Sequence, residues 1–385
     1  MKLIEDFNEI PSLKFTTGFT IVTTLFNRPD VKRAISAYLD SRDESMWDTL
    51  IEEVKIIVRS IPVGRDLESM VLPIGLQIIK MRTFVHYLPE RRYAIVEFSL
   101  PFWTPYGTLD TCRQSRKIIL DNRLSVAFRY HLACHDCIEE YIPGLFSRLS
   151  DDQKKSYKPI YGERELQSYW TNIMSDSLDN FVFQDFEDDF DLVSWRNLAH
   201  RLGYQCALRE GSRSAIQYFR EQLLDDDFLS VSRSHLNLLF ERETRRRQEP
   251  CLLPIPHQEH YSDSLYFLLS SFSALERNDV LQGHLVNVMF SFLIFPFFGL
   301  FNTYARIWMD SFSEQDFFRL LERIVILESS TDFFNYKLFG TLYHRSTPEY
   351  QQHFIQYVCK KFASETANRR PLFGRMIDAI IDSFK

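Results

Sequence analysis

Apolar residues recur at spacings of three and four along much of this chain, which is the spacing of one face of an α-helix. Residues 47–61 and residues 371–385 show the pattern most clearly, since each places its large apolar side chains on one stripe. Glycine is scarce, with 12 in 385 residues, whereas sheet-rich and phosphate-binding folds use glycine at turns and bulges. The sequence therefore predicts an all-α fold. Residues 93–100 are the one candidate for a short strand, or else a buried helix segment.

Two segments interrupt the helical pattern and indicate how the chain is organised. Residues 150–163 are polar and contain a proline and a glycine, and residues 247–262 contain three closely spaced prolines, which a helix interior does not tolerate. These breaks predict an N-terminal helical region over 1–150, a middle segment over 151–247 and a C-terminal segment over 262–385. We expect the three segments to form one continuous array.

Weak internal similarity favours a repeat architecture. Residues 142–152 resemble residues 216–226, and residues 207–212 resemble residues 274–279, where we expect each member of the second pair to end a helix. The offsets, roughly 74 and 67 residues, are close to twice a repeat of about 35, the length of ankyrin- or tetratricopeptide-type helix pairs. The sequence therefore predicts a solenoid-like array of helix pairs.

The charge and the cysteines limit the classes of partner and the compartment. The net charge is −7, which is not the charge of a protein that neutralises nucleic-acid phosphates. The basic cluster of residues 242–247 is balanced by Glu241, Glu243 and Glu249, and indicates a solvated helix end in preference to a phosphate or nuclear-import site. The six cysteines are irregularly spaced and do not form a disulfide framework, and residues 1–10 do not read as a secretory signal. A cytoplasmic protein is expected.

The segment Cys134-His135-Asp136-Cys137 is the stretch that most resembles a chemical site. On a helix Cys134 and Cys137 would lie one turn apart, as would His131 and Cys134, so that soft metal ligands could converge. Structural zinc needs four ligands and a thioredoxin-like site needs a βαβ setting, and the sequence has neither a second Cys-x-x-Cys nor that pattern. Because buried free cysteine packs as a small apolar residue, we predict that both cysteines are buried, reduced and metal-free.

Two further clusters are candidate sites. His257, Glu259 and His260 lie in the proline-rich segment and lack the spacing that aligns two imidazoles on a helix face, so a solvated loop is favoured. The acidic residues 184–191 lack the glycine and the glutamate of a calcium-binding EF-hand. Phosphate loops, dinucleotide fingerprints and nucleophile elbows are also missing from the sequence. No catalytic, cofactor-binding or metal-binding residue is therefore predicted, and an enzyme is disfavoured but left open.

The longest uncharged run, residues 285–305, has the length of a membrane span. Asn287, Asn302 and other polar residues dilute it, and Pro296 with Gly299 would break a spanning helix. We predict two buried core segments that meet at Pro296, and no membrane span.

Segments 12–35 and 100–150 resemble a set of uncharacterised, mostly helical proteins of arachnids and related invertebrates. The pattern they share is a tryptophan, a Gly-x-Ile/Leu-Asp turn, a short helix and a Leu-Ala-Cys-x-x-Cys segment that leads into another helix. The matching residues here are Trp103, Gly107, Leu109, Asp110, Ala133, Cys134, Cys137, Ile142 and Leu145. The resemblance implies a degenerate ankyrin-like array with no assigned activity. In those proteins an aromatic residue often stands between the cysteines, which argues against a shared metal site.

The same residues have a physical interpretation of their own. Gly107 permits a tight turn after Pro105, and Asp110 can cap a helix that begins near Thr111.

These patterns together predict a non-catalytic scaffold for protein–protein interaction, built from helical repeats and binding an unidentified protein partner. The alternative is an enzyme with an unrecognised active site, near residues 184–191 or His257 and His260, or a metal-binding protein that uses Cys134 and Cys137.

Overall fold

The structure is a computed structural model, and it describes residues 11–41, 43–62, 64–86, 102–157, 165–177, 192–246, 258–293, 296–308, 312–331, 336–364 and 370–383. Within these ranges the regular secondary structure is helical, apart from one isolated antiparallel bridge between Trp103 and Leu109. The helices alone cover more than half of the whole chain, so the predicted all-α class is confirmed. The candidate strand at 93–100 lies outside the described residues.

The first four helices pack on one another around an apolar core of their own. Their bounds are α1 Leu13–Phe26, α2 Pro29–Ser41, α3 Glu44–Arg59 and α4 Gly64–His86. The side chain of Ser12 accepts from the Phe15 N–H and begins α1. The stripe predicted over 47–61 is the buried face of α3, with Trp47, Leu50, Ile51, Val54 and Val58 inside.

A glycine sets how closely α4 approaches its neighbours. A Cβ atom at Gly75 would lie 2.9 Å from both the Phe26 ring on α1 and the Trp47 ring on α3. The two aromatic rings therefore occupy the space that a larger residue at 75 would need.

The turn over residues 102–110 contacts both the N-terminal helices and the rest of the chain. The Trp103 ring meets the Phe19 ring of α1 edge-on, with centroids 5.0 Å apart. Tyr106, three residues later, lies against Tyr266, with centroids 5.6 Å apart. Gly107 has φ +87, as predicted for a tight turn, and a Cβ there would lie 3.0 Å from the Phe19 ring. The turn thus joins the two apolar cores of the molecule.

Replacing Gly107 with alanine should lower the free energy of unfolding by about 1–3 kcal/mol, because a side chain would be forced into a left-handed backbone and against a ring. The matched control is Gly144→Ala, since a Cβ at Gly144 in the helix 142–146 meets nothing within 4 Å. Urea unfolding of the two variants measures the difference, and equal stabilities would contradict this account of the turn.

Five described helices follow the turn, and all but the fourth of them contribute buried side chains to a second, larger core. They are α5 Thr111–Ile119, α6 Val126–His135, α7 Ile142–Phe146, α8 Asp151–Ser156 and α9 Leu166–Met174. Asp110 caps α5 as predicted, its carboxylate accepting from the Arg113 N–H at 2.9 Å. The predicted break at 150–163 is wrong in its first half, because Ser150 and Gln153 form a capping box that starts α8.

Most of the next helices pack on the helix two places further along. Their bounds are α10 Leu192–Glu210, α11 Arg213–Gln222, α12 Asp225–Arg246, α13 Gln258–Ser270 and α14 Ala274–Ser291. Helix α10 packs on α11 and α12, α11 packs on α13, and α12 packs on α14. The interval 247–262 is not wholly free of helix as predicted, because the prolines end at Pro256 and α13 begins at Gln258.

Segments 207–212 and 274–279 are similar in sequence and were both expected to end a helix, but only the first does. The first segment ends α10, with Gly211 at φ +70 just beyond it. The second segment begins α14 and does not end a helix, because Ser273 and Glu276 form a capping box there.

The C-terminal part continues the helical packing. Its helices are α15 Phe298–Trp308, α16 Glu314–Thr331, α17 Tyr336–Arg345, α18 Pro348–Ser364 and α19 Arg370–Ser383. Helix α19 packs on α16, α17 and α18, and buries Met376 and Ile380. Ile381, which lies on the apolar stripe of residues 371–385, is 53% exposed.

The described residues of the uncharged run 285–305 lie mostly in the core, as predicted. Phe292 and Leu300 are fully buried, and α15 begins two residues after the buried Pro296. In the part of the chain that the structure describes, no helix combines the length and the apolar character that a bilayer crossing requires.

The turn over residues 102–110 separates the part of the chain that forms the smaller core from the part that forms the larger core. The smaller core contains residues between Phe15 and Ile79, and the larger core contains residues between Ile118 and Ile380. Residues 118–149, which belong to the predicted region 1–150, contribute to the larger core.

Candidate functional site

The Cys134–Cys137 segment ends a helix and does not continue it, so the predicted one-turn separation of its cysteines on a helix is wrong. Helix α6 stops at His135, and Cys137 adopts a left-handed backbone with φ +49. The Ile138 N–H donates to the Ala133 carbonyl at 2.8 Å and the Cys137 N–H to the Cys134 carbonyl at 3.2 Å. This is the hydrogen-bond pattern of a Schellman C-cap.

The two cysteines are buried, as predicted, and point into different surroundings. Cys134 is 0% exposed and lies near Tyr130, whereas the Cys137 Sγ accepts from the Trp170 indole N–H at 3.4 Å. Burial raises the pKa of both thiols well above the usual value, so both are protonated at neutral pH. Protonated thiols are poor metal ligands and poor nucleophiles.

Changing Cys134 and Cys137 together to alanine should cost about 1–3 kcal/mol of stability through lost packing, without release of any ion. Urea unfolding measures the first expectation, and elemental analysis of the purified protein measures the second. The control is Cys359→Ala, because Cys359 is exposed. Stoichiometric zinc that disappears in the double variant would overturn this interpretation.

Asp136, between the cysteines, is the most connected polar group of the segment. Its carboxylate is buried and accepts from the Ser212 hydroxyl at 3.1 Å, the Ser214 hydroxyl at 2.9 Å and the Ser115 hydroxyl. The His135 Nδ1–H donates to the same carboxylate at 3.1 Å. Because Ser115 lies on α5 and Ser212 caps α11, one carboxylate connects three helices.

These donors keep Asp136 ionised inside the protein. Burial on its own would raise the pKa of Asp136, but the hydrogen bond and charge of His135, with the hydrogen bonds from Ser115 and Ser214, lower it below the usual value. This role of Asp136 is not evident from the sequence, in which an aspartate between two predicted buried cysteines is the available signal.

A partly buried ion pair fixes the 102–110 turn to the larger core. The Arg213 guanidinium lies 3.2 Å from an Asp263 oxygen and donates to the Tyr106 hydroxyl at 3.1 Å. It also lies over the rings of Tyr106 and Phe267, each 5.1 Å away. The Thr108 hydroxyl donates to the same Asp263 oxygen at 3.0 Å. This cluster connects the turn, α11 and α13, and its role is structural.

A cleft of about 270 Å³ opens beside the end of α6 and is the candidate site of this molecule. It is lined by His131, His135, Glu165, Gln167 and Glu210. His131 and His135 lie one turn apart on α6, Glu165 precedes α9, and Glu210 is the last residue of α10. Of these residues, only His131 and His135 were candidates from the sequence, and only as possible metal ligands together with the cysteines.

Hydrogen bonds hold both imidazoles of the cleft by the same ring nitrogen. The His131 Nδ1 lies 3.1 Å from the Gln167 Oε1, and the His135 Nδ1 lies 3.1 Å from an Asp136 oxygen. An amide oxygen and a carboxylate only accept, so Nδ1 carries the proton in each ring. Nε2 is then the remaining nitrogen of each ring for a ligand or solvent.

The two glutamates of the cleft both lie at the start of α9. Glu165 is the N-cap residue of α9, but its side chain makes no capping hydrogen bond. Glu210 supplies the acceptor instead, since its Oε1 lies 2.8 Å from the Leu166 N–H. Burial, followed by the nearby charge of Glu165, raises the pKa of Glu210 against the opposing effects of Leu166 and the two histidines.

The charge state of His135 connects the cleft with the buried Asp136. Burial on its own would lower the pKa of His135, but the hydrogen bond and charge of Asp136, with the charge of Glu210, raise it above the usual value. A raised folded-state pKa adds stability below the unfolded pKa of about 6.5, and that stability is lost as the pH rises through the folded value.

His135→Gln should therefore destabilise the protein more at pH 6 than at pH 9, because the stabilising charge is present only at the lower pH. Urea unfolding of the wild type and of the variant at both pH values measures this difference. A loss of stability that is the same at the two pH values would contradict the assigned interaction.

The other candidate residues from the sequence do not line this cleft. Residues 184–191 and His257 lie outside the described residues, and Glu259 and His260 are on α13 and not in a loop as predicted. Among the described residues there is no group of three or more histidine, cysteine, aspartate or glutamate residues that could hold a metal ion.

Comparison with known proteins adds no assignment: no protein-family model matches the chain, and no curated protein matches it significantly.

Proposed function

We propose that this chain is a non-catalytic scaffold for protein–protein interaction, built as a degenerate, ankyrin-like array of helix pairs and working in the cytoplasm. Its ligand is another protein, recognised on a face of the array that the helices leave uncovered. The resemblance of segments 12–35 and 100–150 to helical invertebrate proteins is part of this proposal.

The observation that carries the proposal is the packing of several helices on the helix two places further along the chain. This holds for α10 with α12, α11 with α13, α12 with α14 and α14 with α16. Stacking of this kind is what repeat arrays use to extend one core along the chain while keeping a surface free for partners. From this packing we infer that the chain binds a partner protein on the surface that stays free.

The chemistry of the described residues supports the same proposal. The groups with the most unusual surroundings are engaged within the protein: Asp136 with its serine donors, Arg213 with Asp263, and the two buried thiols. Groups that hold helices together in this way are not available for catalysis.

The alternative function is catalytic, and one observation favours it. The cleft brings two imidazoles next to two carboxylates, which are the usual side chains of general acid–base chemistry. A nucleophile would have to come from elsewhere, because Cys134 and Cys137 are buried and protonated.

Affinity capture with the full chain as bait, read by quantitative mass spectrometry after chemical cross-linking, tests the proposal. We expect a protein retained in fixed stoichiometry, cross-linked to residues of α10–α14. No retained protein, together with a bound cofactor or substrate turnover in the purified chain, would overturn the proposal in favour of the catalytic alternative.

A further inference from the structure

A buried arginine near the start of α6 uses only part of its hydrogen-bonding capacity. Arg129 is 6% exposed, and its Nε–H donates to the carbonyl of Ile119, the last residue of α5. A guanidinium has five N–H donors and no acceptor. The Nη1 nitrogen of Arg129 is enclosed and has no hydrogen-bond acceptor among the described residues. Because a buried donor without an acceptor costs free energy, this guanidinium is only partly satisfied by the fold.

The second terminal nitrogen of Arg129, Nη2, is the one that a ligand can reach. It too makes no hydrogen bond within the part of the chain that the structure describes, but it does not belong to the enclosed atoms that lack a partner. Its N–H groups therefore keep access to solvent. A ligand that binds there has to supply acceptor oxygens, since every group of a guanidinium is a donor.

The positive charge of Arg129 is not neutralised by its surroundings. The carboxylate that acts on it is Asp121, which already accepts from the Nε and Nη2 of Arg123 at 2.9 and 2.6 Å. Arg148, exposed after α7, adds a further positive charge and has no ion-pair partner among the described residues. Burial, followed by the charge of Arg148, lowers the pKa of Arg129. Three arginines face one aspartate, although the chain as a whole has a net charge of −7.

A doubly charged oxyanion matches this local excess better than a singly charged group does. A phosphate monoester carries about −1.5 to −2 charges at pH 7 and has three acceptor oxygens, whereas a carboxylate carries a single charge. Arginine pairs with phosphate through two parallel N–H···O bonds, which a terminal nitrogen with free N–H groups permits. A nucleic-acid backbone presents its charges in a long row, and two neighbouring arginines do not follow such a row.

We propose that Arg129 and Arg148 bind a phosphorylated serine or threonine side chain of the partner protein. The phosphate oxygens accept from the Nη2 of Arg129 and from the guanidinium of Arg148. The inference rests on the proposed scaffold function and names the group by which the partner is recognised. Phosphorylation of the partner then controls its association with the array, because the unmodified hydroxyl leaves the two arginines without a counter-charge.

A blocked tripeptide, acetyl-Gly-phosphoserine-Gly-amide, is the probe, and the same peptide with glutamate or with serine is its control. Arginine-selective ¹H–¹⁵N NMR of the full chain reports binding through the Nε–H of Arg129, whose signal is assigned from its loss in Arg129→Lys. We expect the phosphoserine peptide to shift this signal and the serine peptide to leave it unchanged. The glutamate peptide should bind at least about tenfold more weakly, because it lacks the second charge.

Three results with these probes would overturn the proposal. An unchanged Arg129 signal with the phosphoserine peptide would remove the site. Equal affinity for the glutamate peptide would show that any anion suffices. Tighter binding of inorganic phosphate than of the phosphoserine peptide would assign the site to the free ion and not to a side chain of a partner.

Two variants test the arginines themselves. Arg148→Gln leaves the fold untouched, because Arg148 is exposed and has no ion-pair partner among the described residues. Arg129→Lys keeps the charge but loses the planar fork. Each should weaken binding of the phosphoserine peptide by about tenfold, the effect of one charge-assisted hydrogen bond. Arg33→Gln, exposed on α2, is the matched control and should leave the affinity unchanged.

Wild-type affinity in Arg148→Gln would contradict the proposal, and this variant decides the question if Arg129→Lys does not fold. The failure of this inference can be told apart from the failure of the scaffold function. A captured partner that Arg148→Gln retains as well as the wild type, or that phosphatase treatment does not release, would refute the phosphate site and leave the scaffold intact. Phosphopeptide binding without any captured protein would support the site and refute the scaffold.

Discussion

Phe292→Asp is expected to leave the protein unfolded or insoluble. Phe292 is 0% exposed, closes the C-terminal end of α14 and lies 5.9 Å, between ring centroids, from Phe297 of the following segment. An unpaired carboxylate at this place has neither water nor a cation, and its burial costs a large part of the roughly 5–15 kcal/mol that stabilises a folded domain. The soluble yield and the far-ultraviolet circular dichroism of the variant measure the outcome.

The same substitution at an exposed position of the same helix is the control. Leu275 lies in the first turn of α14 and is 82% exposed, and a carboxylate near a helix N-terminus interacts favourably with the helix dipole. Leu275→Asp should change stability by no more than about 0.5 kcal/mol. A folded, soluble Phe292→Asp variant would show that the run 285–305 is not core.

Asp136→Asn is expected to lower the free energy of unfolding by about 3 kcal/mol at neutral pH. The substitution removes the charge that faces His135 and turns one acceptor into a donor opposite the serine hydroxyls. Urea unfolding measures the loss, and Asp48→Asn on the exposed face of α3 is the matched control.

The pH dependence of that loss has a defined sign. The pKa of Asp136 is lowered in the folded protein, so its contribution is present above the unfolded value of about 3.9 and is lost as the pH falls through the folded value. The stability difference between the wild type and Asp136→Asn should shrink in strongly acidic solution. If the variant is as stable as the wild type at neutral pH, the hydrogen bonds by which Asp136 connects three helices do not contribute to the free energy of unfolding.

The features predicted correctly from the sequence depend on neighbouring residues. The buried stripe of α3, the Asp110 cap and the left-handed Gly107 follow from local spacing and backbone preference. Two wrong predictions were local as well: Ser150 with Gln153, and Ser273 with Glu276, are capping boxes that begin helices where breaks or helix ends were expected.

The features that the sequence did not reveal depend on residues far apart in the chain. Thr108 and Asp263 are 155 positions apart, and Asp136 and Ser214 are 78 positions apart. The carboxylates of the cleft come from the ends of different helices, α9 and α10. Local periodicity specifies helices and their buried faces, but not which polar side chains meet when the helices pack.

The central claim is that stacked helix pairs build one extended array, joined through the 102–110 turn to an N-terminal bundle with its own core. Hydrogen exchange of the full chain in increasing concentrations of urea tests it most directly, since arrays and separate cores open in contiguous units of different stability. We predict that the amides of residues 13–86 open as one unit, distinct from those of α10–α14. A single opening free energy shared by all the protected amides would contradict the account.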